Sequence, residues 1–412
     1  MTQADKRPGC GHDAPSIALA EALQRIRSTL EPMGGRQRVA LRDALGKVLA
    51  EPIIATAAVP AHNNSAMDGY ALRHADADCE CLHVVGSAFA GHPYTEQPLE
   101  RGQCVRIMTG GVVPAGADTV VMQERAQVEG DTVEITEWPQ AGENVRLAGE
   151  DLRAGDPILP AGRRVTAADL GLIASIGQAE VTVNRALRVA FFSTGDELRS
   201  LGQPLGPGDL YDSNRYTLYG MLSDLGVSLL DLGVVPDDPA ALKAALDEGA
   251  READVIISSG GVSVGEADYM VDLLQAGGEA HFWSVAMKPG RPLTFGRYGK
   301  AWYFGLPGNP VSVMATFAQV VTPALRWLAG ETDKPARRFW VRCQTPLRKR
   351  PGRQEFQRGR LIAQADGTLS VESVGKQGSG ILRSMSEADC FIVLPADSES
   401  VAAGAMVVVE PF

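Results

Sequence analysis

Between Leu187 and about Gly330 the chain alternates between two textures. Short β-branched or aromatic runs without a polar break are followed by stretches in which apolar residues return every three or four positions. Unbroken apolar runs suit strands covered on both faces, and the three-to-four spacing suits amphipathic helices. Strands are predicted at 188–192, 227–232, 254–258, 281–287, 293–295 and 301–305, with helices near 214–225, 239–249, 268–276 and 311–328. This order predicts a doubly wound, mostly parallel sheet with helices on both faces.

The flanking regions read differently. Ser16 is placed to cap a helix carrying Leu19, Leu23, Ile26 and Leu30 on one face, ended by Pro32 and Gly34-Gly35. A second short helical pattern covers 42–50. From about Val59 to Asn144, short apolar runs at 83–85, 104–108, 119–122 and 132–135 are separated by Gly, Pro and Asp, which predicts a β-rich piece. Residues 142–151 return the chain to the first region, where Thr166 caps a helix stopped by Gly177. After Lys334-Pro335, short alternating strands with glycine turns predict a small β-barrel or sandwich. The expectation is a multi-domain α/β protein: a discontinuous helical/linker domain (15–58 and 145–184), an inserted β-rich domain (59–144), a central α/β domain (185–331) and a C-terminal β domain (332–412).

With 412 residues, 45% hydrophobic and 22% charged, the chain is long enough for several cores. A net charge of −11 argues against a general nucleic-acid binder, which needs a basic face. Six cysteines lie scattered without a CxxC pair, so free thiols in a reducing cytoplasm are expected. Cys79, Cys81 and His83, and Cys10 with His12, give only a weak metal signal. Residues 1–14 read as a polar lead-in, with no signal peptide, and no apolar run reaches membrane-spanning length.

The chemistry concentrates after the predicted strands. Asp254-Val-Ile-Ile-Ser-Ser-Gly-Gly-Val-Ser-Val-Gly-Glu-Ala-Asp268 joins a strand to a helix through Ser258, Ser259, Gly260, Gly261, Ser263 and Gly265. Glycines admit close backbone approach, and N–H and hydroxyl donors suit phosphate oxygens. Glu266 and Asp268 would repel a phosphate unless a cation such as Mg²⁺ lay between. Other strands lead into Ser193-Thr-Gly-Asp-Glu197, Val234-Val-Pro-Asp-Asp-Pro239, Lys288-Pro-Gly-Arg-Pro292 and Leu306-Pro-Gly-Asn-Pro310. Open α/β sheets bind ligands outside the carboxyl ends of their strands, so these loops are expected to meet in one crevice, bringing in Pro307 and Gly308. Lys288 and Arg291 are its anion candidates. The run Arg348-Lys-Arg-Pro-Gly-Arg353 reads mainly as solvated surface.

Ser65-Ala-Met-Asp-Gly-Tyr-Ala71, Met108-Thr-Gly110, Gly149-Glu-Asp151, Ser193-Thr-Gly-Asp-Glu-Leu198, the Ser258–Tyr269 loop, Lys288-Pro-Gly290 and Leu306-Pro-Gly-Asn-Pro310 together resemble the molybdopterin molybdenumtransferases, the MoeA or gephyrin E-domain family. The resemblance runs from about residue 15 to the C-terminus. It implies an elongated four-domain homodimer, each active site lying between the α/β domain of one subunit and the β-rich domain of the other. It implies Mg²⁺-dependent conversion of adenylylated molybdopterin and molybdate into molybdenum cofactor and AMP. The implied site residues are Asp68, Thr109, Asp151, Glu197, Asp237, Asp268, Lys288, Arg358 and Ser379. Lys288, Arg291 and Ser379 are expected nearer molybdate, and Glu197 and Asp268 nearer the metal. Ser284 stands where several relatives carry a lysine. Two other functions are weighed: adenylylation of molybdopterin, which a stand-alone α/β domain would suffice for, and a partner-peptide scaffold, which a fused second catalytic domain or long linker would favour.

Overall fold

The computed structural model describes residues 16–261 and 268–412. Ser263, Gly265 and Glu266 of the glycine loop, the polar lead-in, and Cys10 with His12 lie outside those residues, as does the side chain of Asp268. The chain forms two compact units: Arg38–Val183, and the segment up to Gln37 together with Asn184–Phe412.

The second of these units contains the predicted sheet. Its strands lie in the order Ser228–Val235, Arg188–Thr194, Val255–Ser259, Ala301–Leu306, Pro292–Tyr298 and Gly278–Ser284. The first four are parallel, and the last two form antiparallel pairs. Side chains alternate across a strand, which explains the unbroken apolar runs. Val189, Phe191, Val255, Ile257 and Phe304 enter one core, and Ala190, Phe192, Ile256 and Tyr303 enter the other. The reading 281–287 joined two strands. Gly278–Ser284 is the sheet's edge, whereas Met287–Lys288 leaves it and pairs in parallel with Gln354 and Glu355 of the C-terminal region. Because Gly278–Ser284 is antiparallel to a strand that is itself antiparallel to Ala301–Leu306, its carboxyl end points the same way as those of the parallel strands.

Helix Pro310–Leu328 is long and apolar enough to span a membrane by length and composition, against the expectation from the sequence, but most of it is buried in the core. Its middle turn, Phe317–Val321, is π-helical. Pro323 lacks an N–H and would clash with the Gln319 carbonyl in an α-helix, and the wider turn relieves this. The first helix is Leu19–Thr29, with Leu19, Ala22 and Ile26 buried in the α/β core. Its N-cap is Ala18, without a side-chain cap. Ser16, the expected cap, instead bonds the Ser284 hydroxyl at 2.8 Å, and the helix ends at Leu30, ahead of Pro32.

The C-terminal region is a closed barrel. Gln354–Ala363 pairs with both Leu369–Ser373 and Cys390–Leu394, and Phe339–Cys343 and Met406–Pro411 complete the ring. Val341, Val371, Ile392, Val407 and Val409 fill it. Lys349, read as solvated, is buried, and its ammonium donates to the carbonyls of Arg350, Ala396 and Ser398.

In the unit Arg38–Val183, a six-stranded sheet runs Thr119–Met122, Gly69–Leu72, Gln103–Ile107, Leu82–Ala88, Thr132–Ile135 and Ala126–Glu129. A separate core containing Leu49, Ile53, Leu159, Ile173 and Val183 holds the segments on either side of it in sequence. Thr166 caps Ala167–Ser175 in a capping box with Asp169, as the sequence predicts. The helix expected at 42–50 is a single 3-10 turn, Leu41–Ala44. Val48 and Leu49 then bridge to Arg164 and Val183, satisfying in extended form the backbone groups a helix would have paired internally.

Candidate active site

Four loops are tied together at the carboxyl ends of the parallel strands. Gly260 has φ +92°, and a Cβ there would sit 2.3 Å from the Thr194 carbonyl oxygen, so only glycine brings the two loops this close. The Gly260 amide donates to the Leu306 carbonyl at 3.1 Å. Thr194 Oγ1 donates to Asp237 Oδ1, and the Asp237 amide donates to Asp196 Oδ1 at 3.3 Å. Asn214 Nδ2 donates to Ser259 Oγ at 2.8 Å and to the Gly308 carbonyl at 2.7 Å. Pro307 contributes its carbonyl, 3.4 Å from Ser259 Oγ. The adjacent serines differ: the Ser258 hydroxyl is paired with Tyr303 in the interior, where burial pushes the tyrosine pKa upward.

Asp196, Glu197 and Asp237 are exposed beside this loop cluster. The helix Asp268–Gly277 begins with Asp268, on the far side of the glycine loop from Val255–Ser259. Among the described residues no group of three or more His, Cys, Asp or Glu gathers to hold a metal. Carboxylate oxygens in ones and twos are the donor set that suits Mg²⁺ shared with a substrate phosphate, because Mg²⁺ takes its other ligands from phosphate and water.

The barrel brings cations to the same unit. Lys288 Nζ lies 3.2 Å from Glu355 Oε1, a carboxylate that is itself buried. Arg291 Nε donates to Ser284 Oγ at 2.8 Å. Arg358 is 1% exposed. Its Nε and Nη2 donate to two neutral acceptors, Ser384 Oγ and the Gly378 carbonyl, each at 3.1 Å. No carboxylate pairs with it among the described residues, and burial pulls its pKa down to about 10. Gln377 braces the loop carrying Ser379 by accepting from the Arg358 amide and donating to the Arg358 and Val374 carbonyls. The Ser379 carbonyl accepts from the Val311 amide, which ties this loop to the turn Leu306–Pro310.

Asp68 and Thr109 meet in the other unit. Asp68 Oδ1 accepts from both the amide and the hydroxyl of Thr109, each at 2.7 Å. These bonds, the backbone one foremost, hold the Asp68 carboxyl below the usual carboxylate range. Asp151 is exposed on a loop that lies along the Val59–Ser65 segment, with its amide donating to the Val59 carbonyl.

Family models match in three consecutive segments: the MoeA N-terminal region (domain I and II) over residues 17–177, a probable molybdopterin binding domain over 190–327, and the MoeA C-terminal region (domain IV) over 341–412. A molybdopterin molybdenumtransferase of Haemophilus influenzae is 42% identical over 399 residues, covering 96% of this chain and 98% of that protein. The chain belongs to the MoeA family of molybdopterin molybdenumtransferases. A second such relative, from a Nostoc species, is 39% identical and covers 96% of this chain and 93% of that one. The crystal structure of a molybdopterin biosynthesis MoeA protein from Pyrococcus horikoshii superposes with a TM-score of 0.83 at 27% identity, over 97% of this chain and 100% of that one. The multi-domain α/β architecture expected from the sequence is therefore that of a MoeA protein.

Several groups in this MoeA chain went unread in the sequence: Asn214, Asp212, Tyr303, Glu355 and Gln377. Asp212-Ser-Asn214 precedes a helix and looks like ordinary capping, yet Asp212 Oδ1 accepts from Ser193 Oγ at 2.9 Å near the end of the strand Arg188–Thr194. The remaining three act through partners that no local pattern indicates. The thiols read as free are unpaired at Cys79, Cys81, Cys104, Cys343 and Cys390, and burial pushes Cys104 and Cys390 up to about 12.

Proposed function

We propose that this protein converts adenylylated molybdopterin and molybdate into molybdenum cofactor, with Mg²⁺ required and AMP released. The observation that carries the reading is the junction at the turn Leu306–Pro310: the Gly260 and Asn214 bonds tie the glycine loop to it, and the Ser379 carbonyl, bonded to the Val311 amide, ties in the loop whose Gly378 carbonyl accepts from buried Arg358. Cleaving a phosphate-to-phosphate link needs the oxyanions held and their charge offset. Backbone N–H groups and the Ser259 hydroxyl suit the pterin and nucleotide phosphates. Molybdate, a tetrahedral dianion, needs donors and cations, and Lys288, Arg291, Arg358 and Ser379 are the residues assigned to it. Glu197 and Asp268 are assigned to Mg²⁺, with Asp237 beside them; when bound, the metal supplies charge neutralisation at the phosphates.

Asp68, Thr109 and Asp151 are assigned to the same reaction in a cytoplasmic homodimer whose subunits complete each other's sites. The family resemblance supports this. Incubating the purified protein with adenylylated molybdopterin, Mg²⁺ and molybdate while following AMP and cofactor tests the reading. AMP release that depends on both Mg²⁺ and molybdate is expected, and its absence with active substrate would overturn it.

A further inference from the structure

Asp68 and Thr109 sit on different loops of the unit Arg38–Val183, and Ser65 bonds to both loops. Ser65 is 1% exposed and opens the turn Ser65-Ala-Met-Asp68. Its hydroxyl donates to the Met67 carbonyl and accepts from the Met67 amide at 3.3 Å. Its main chain grips the second loop: the Ser65 amide donates to the Gly111 carbonyl and the Gly110 amide donates to the Ser65 carbonyl, each at 2.9 Å. Beyond Asp68 the chain is fixed by the sheet, where Gly69 lies against Val121 and the Gln123 amide donates to the Asp68 carbonyl at 3.0 Å. Before Asp68, the Ala66 amide donates to the carbonyl of Asn144, a residue held at φ +59°, and the Ser65 hydroxyl fixes Met67. The two kinds of bond are separable. Most residues at position 65 would supply the main-chain bonds, but only a short hydroxyl can both donate and accept within the same turn.

We propose that Ser65 is a positioning residue: its hydroxyl shapes the turn that delivers Asp68 to Thr109, while its main chain holds the Thr109 turn in register. This rests on the proposed function, which assigns that pair to the reaction. The test is Ser65→Ala in the full-length protein, with the Asp68 pKa followed by NMR and the pH profile of AMP release and the melting temperature measured alongside. The substitution keeps the main-chain bonds and removes the hydroxyl, so the Thr109 turn stays while Asp68 loosens. Both Thr109 bonds favour the ionised carboxyl, so loosening them is expected to raise the Asp68 pKa towards the ordinary carboxylate range. Arg106, the nearby cation, is common to both proteins. The acid limb of AMP release should move to higher pH in step, and the rate above it should fall about two- to tenfold, the usual worth of one hydrogen bond. Ser65→Cys, close in volume but a weak hydrogen-bonding group, should behave like Ser65→Ala and replaces it if that variant does not fold.

An Asp68 pKa unchanged from wild type would overturn the proposal, even with a lowered melting temperature, because the hydroxyl would then support the fold without setting the pair. A raised pKa with unchanged AMP release would remove Asp68 from the reaction, and that part of the proposed function with it, while Ser65 would stand as the residue that sets the pair. Wild-type protein that releases no AMP would overturn the proposed function alone, since the pKa is read without substrate.

Discussion

Replacing Arg358 by Met separates what the fold needs from what the anion site needs. Burial pulls the guanidinium from its ordinary pKa of 12.5 to about 10, and at about 1.4 kcal/mol per pH unit that costs the fold about 3 kcal/mol. A depressed pKa destabilises the charged form, so this cost is fully present below about pH 10 and is relieved only as pH rises from there towards 12.5. Two hydrogen bonds to neutral acceptors offset it, at about 1 to 1.5 kcal/mol each. Methionine removes the cost and both bonds while keeping most of the volume, so the net change in stability is small. A melting temperature within about 4 °C of wild type is expected. The proposed anion site would lose a cation that lacks a carboxylate partner among the described residues, worth about 1.5 to 3 kcal/mol as a charge-assisted contact. Molybdate needed for half-maximal AMP release should therefore rise about ten- to a hundredfold. Thermal unfolding and a molybdate titration on the same preparation decide it. A drop in melting temperature well beyond this range together with an unchanged titration would refute the reasoning, because the arginine would then be holding the barrel rather than an anion.

Glu197→Gln and Asp268→Asn should each raise the Mg²⁺ needed for AMP release by at least about tenfold; an unchanged Mg²⁺ titration in both removes them from the metal. Lys288→Ala should raise the molybdate requirement about ten- to a hundredfold, whereas Ser284→Lys should lower it by less, since the new ammonium would face Arg291 Nε, now 2.8 Å from the serine oxygen; equal and opposite shifts would contradict this. Thr109→Val removes the hydroxyl donor to Asp68, so the Asp68 pKa, followed by NMR, should move up towards the ordinary carboxylate range. The wild-type carboxylate contributes its stability above that range and loses it only as pH falls through the lowered value. Mixing Asp68→Ala with Asp268→Ala chains should recover part of the activity, and failure in heterodimers shown to form would count against shared sites.

The α/β unit was legible because each strand feeds two cores, so Val189 to Phe192 are all apolar and no register ambiguity arises. Thr119–Met122 and Thr132–Ile135 were predicted to the residue because each is a β-branched run bounded by turn formers. The strand Gly69–Leu72 was hidden inside a segment rich in turn residues. What makes it a strand is tertiary, since a Cβ at Gly69 would lie 1.8 Å from the Val121 carbonyl oxygen. The candidate loops could be named because glycine, serine and acids after strands carry their chemistry locally. Lys288 with Glu355, and Asn214 with Gly308, could not, because 67 and 94 residues separate the partners.

The two residues Met287–Lys288 are at once the exit from one sheet and an added strand of the barrel, with the Gln354 amide donating to the Ala286 carbonyl where they join. A seam made of backbone hydrogen bonds cannot slide by degrees as a side-chain interface can; it holds its register or it breaks. The barrel and the α/β sheet should therefore open to solvent as one cooperative block, with the Gln354 amide exchanging its hydrogen as slowly as the central strands. A chain cut after residue 331 would leave that seam unmatched and Lys288 without its counter-charge. The C-terminal barrel is thus less an appended module than the second half of the segment that presents the lysine.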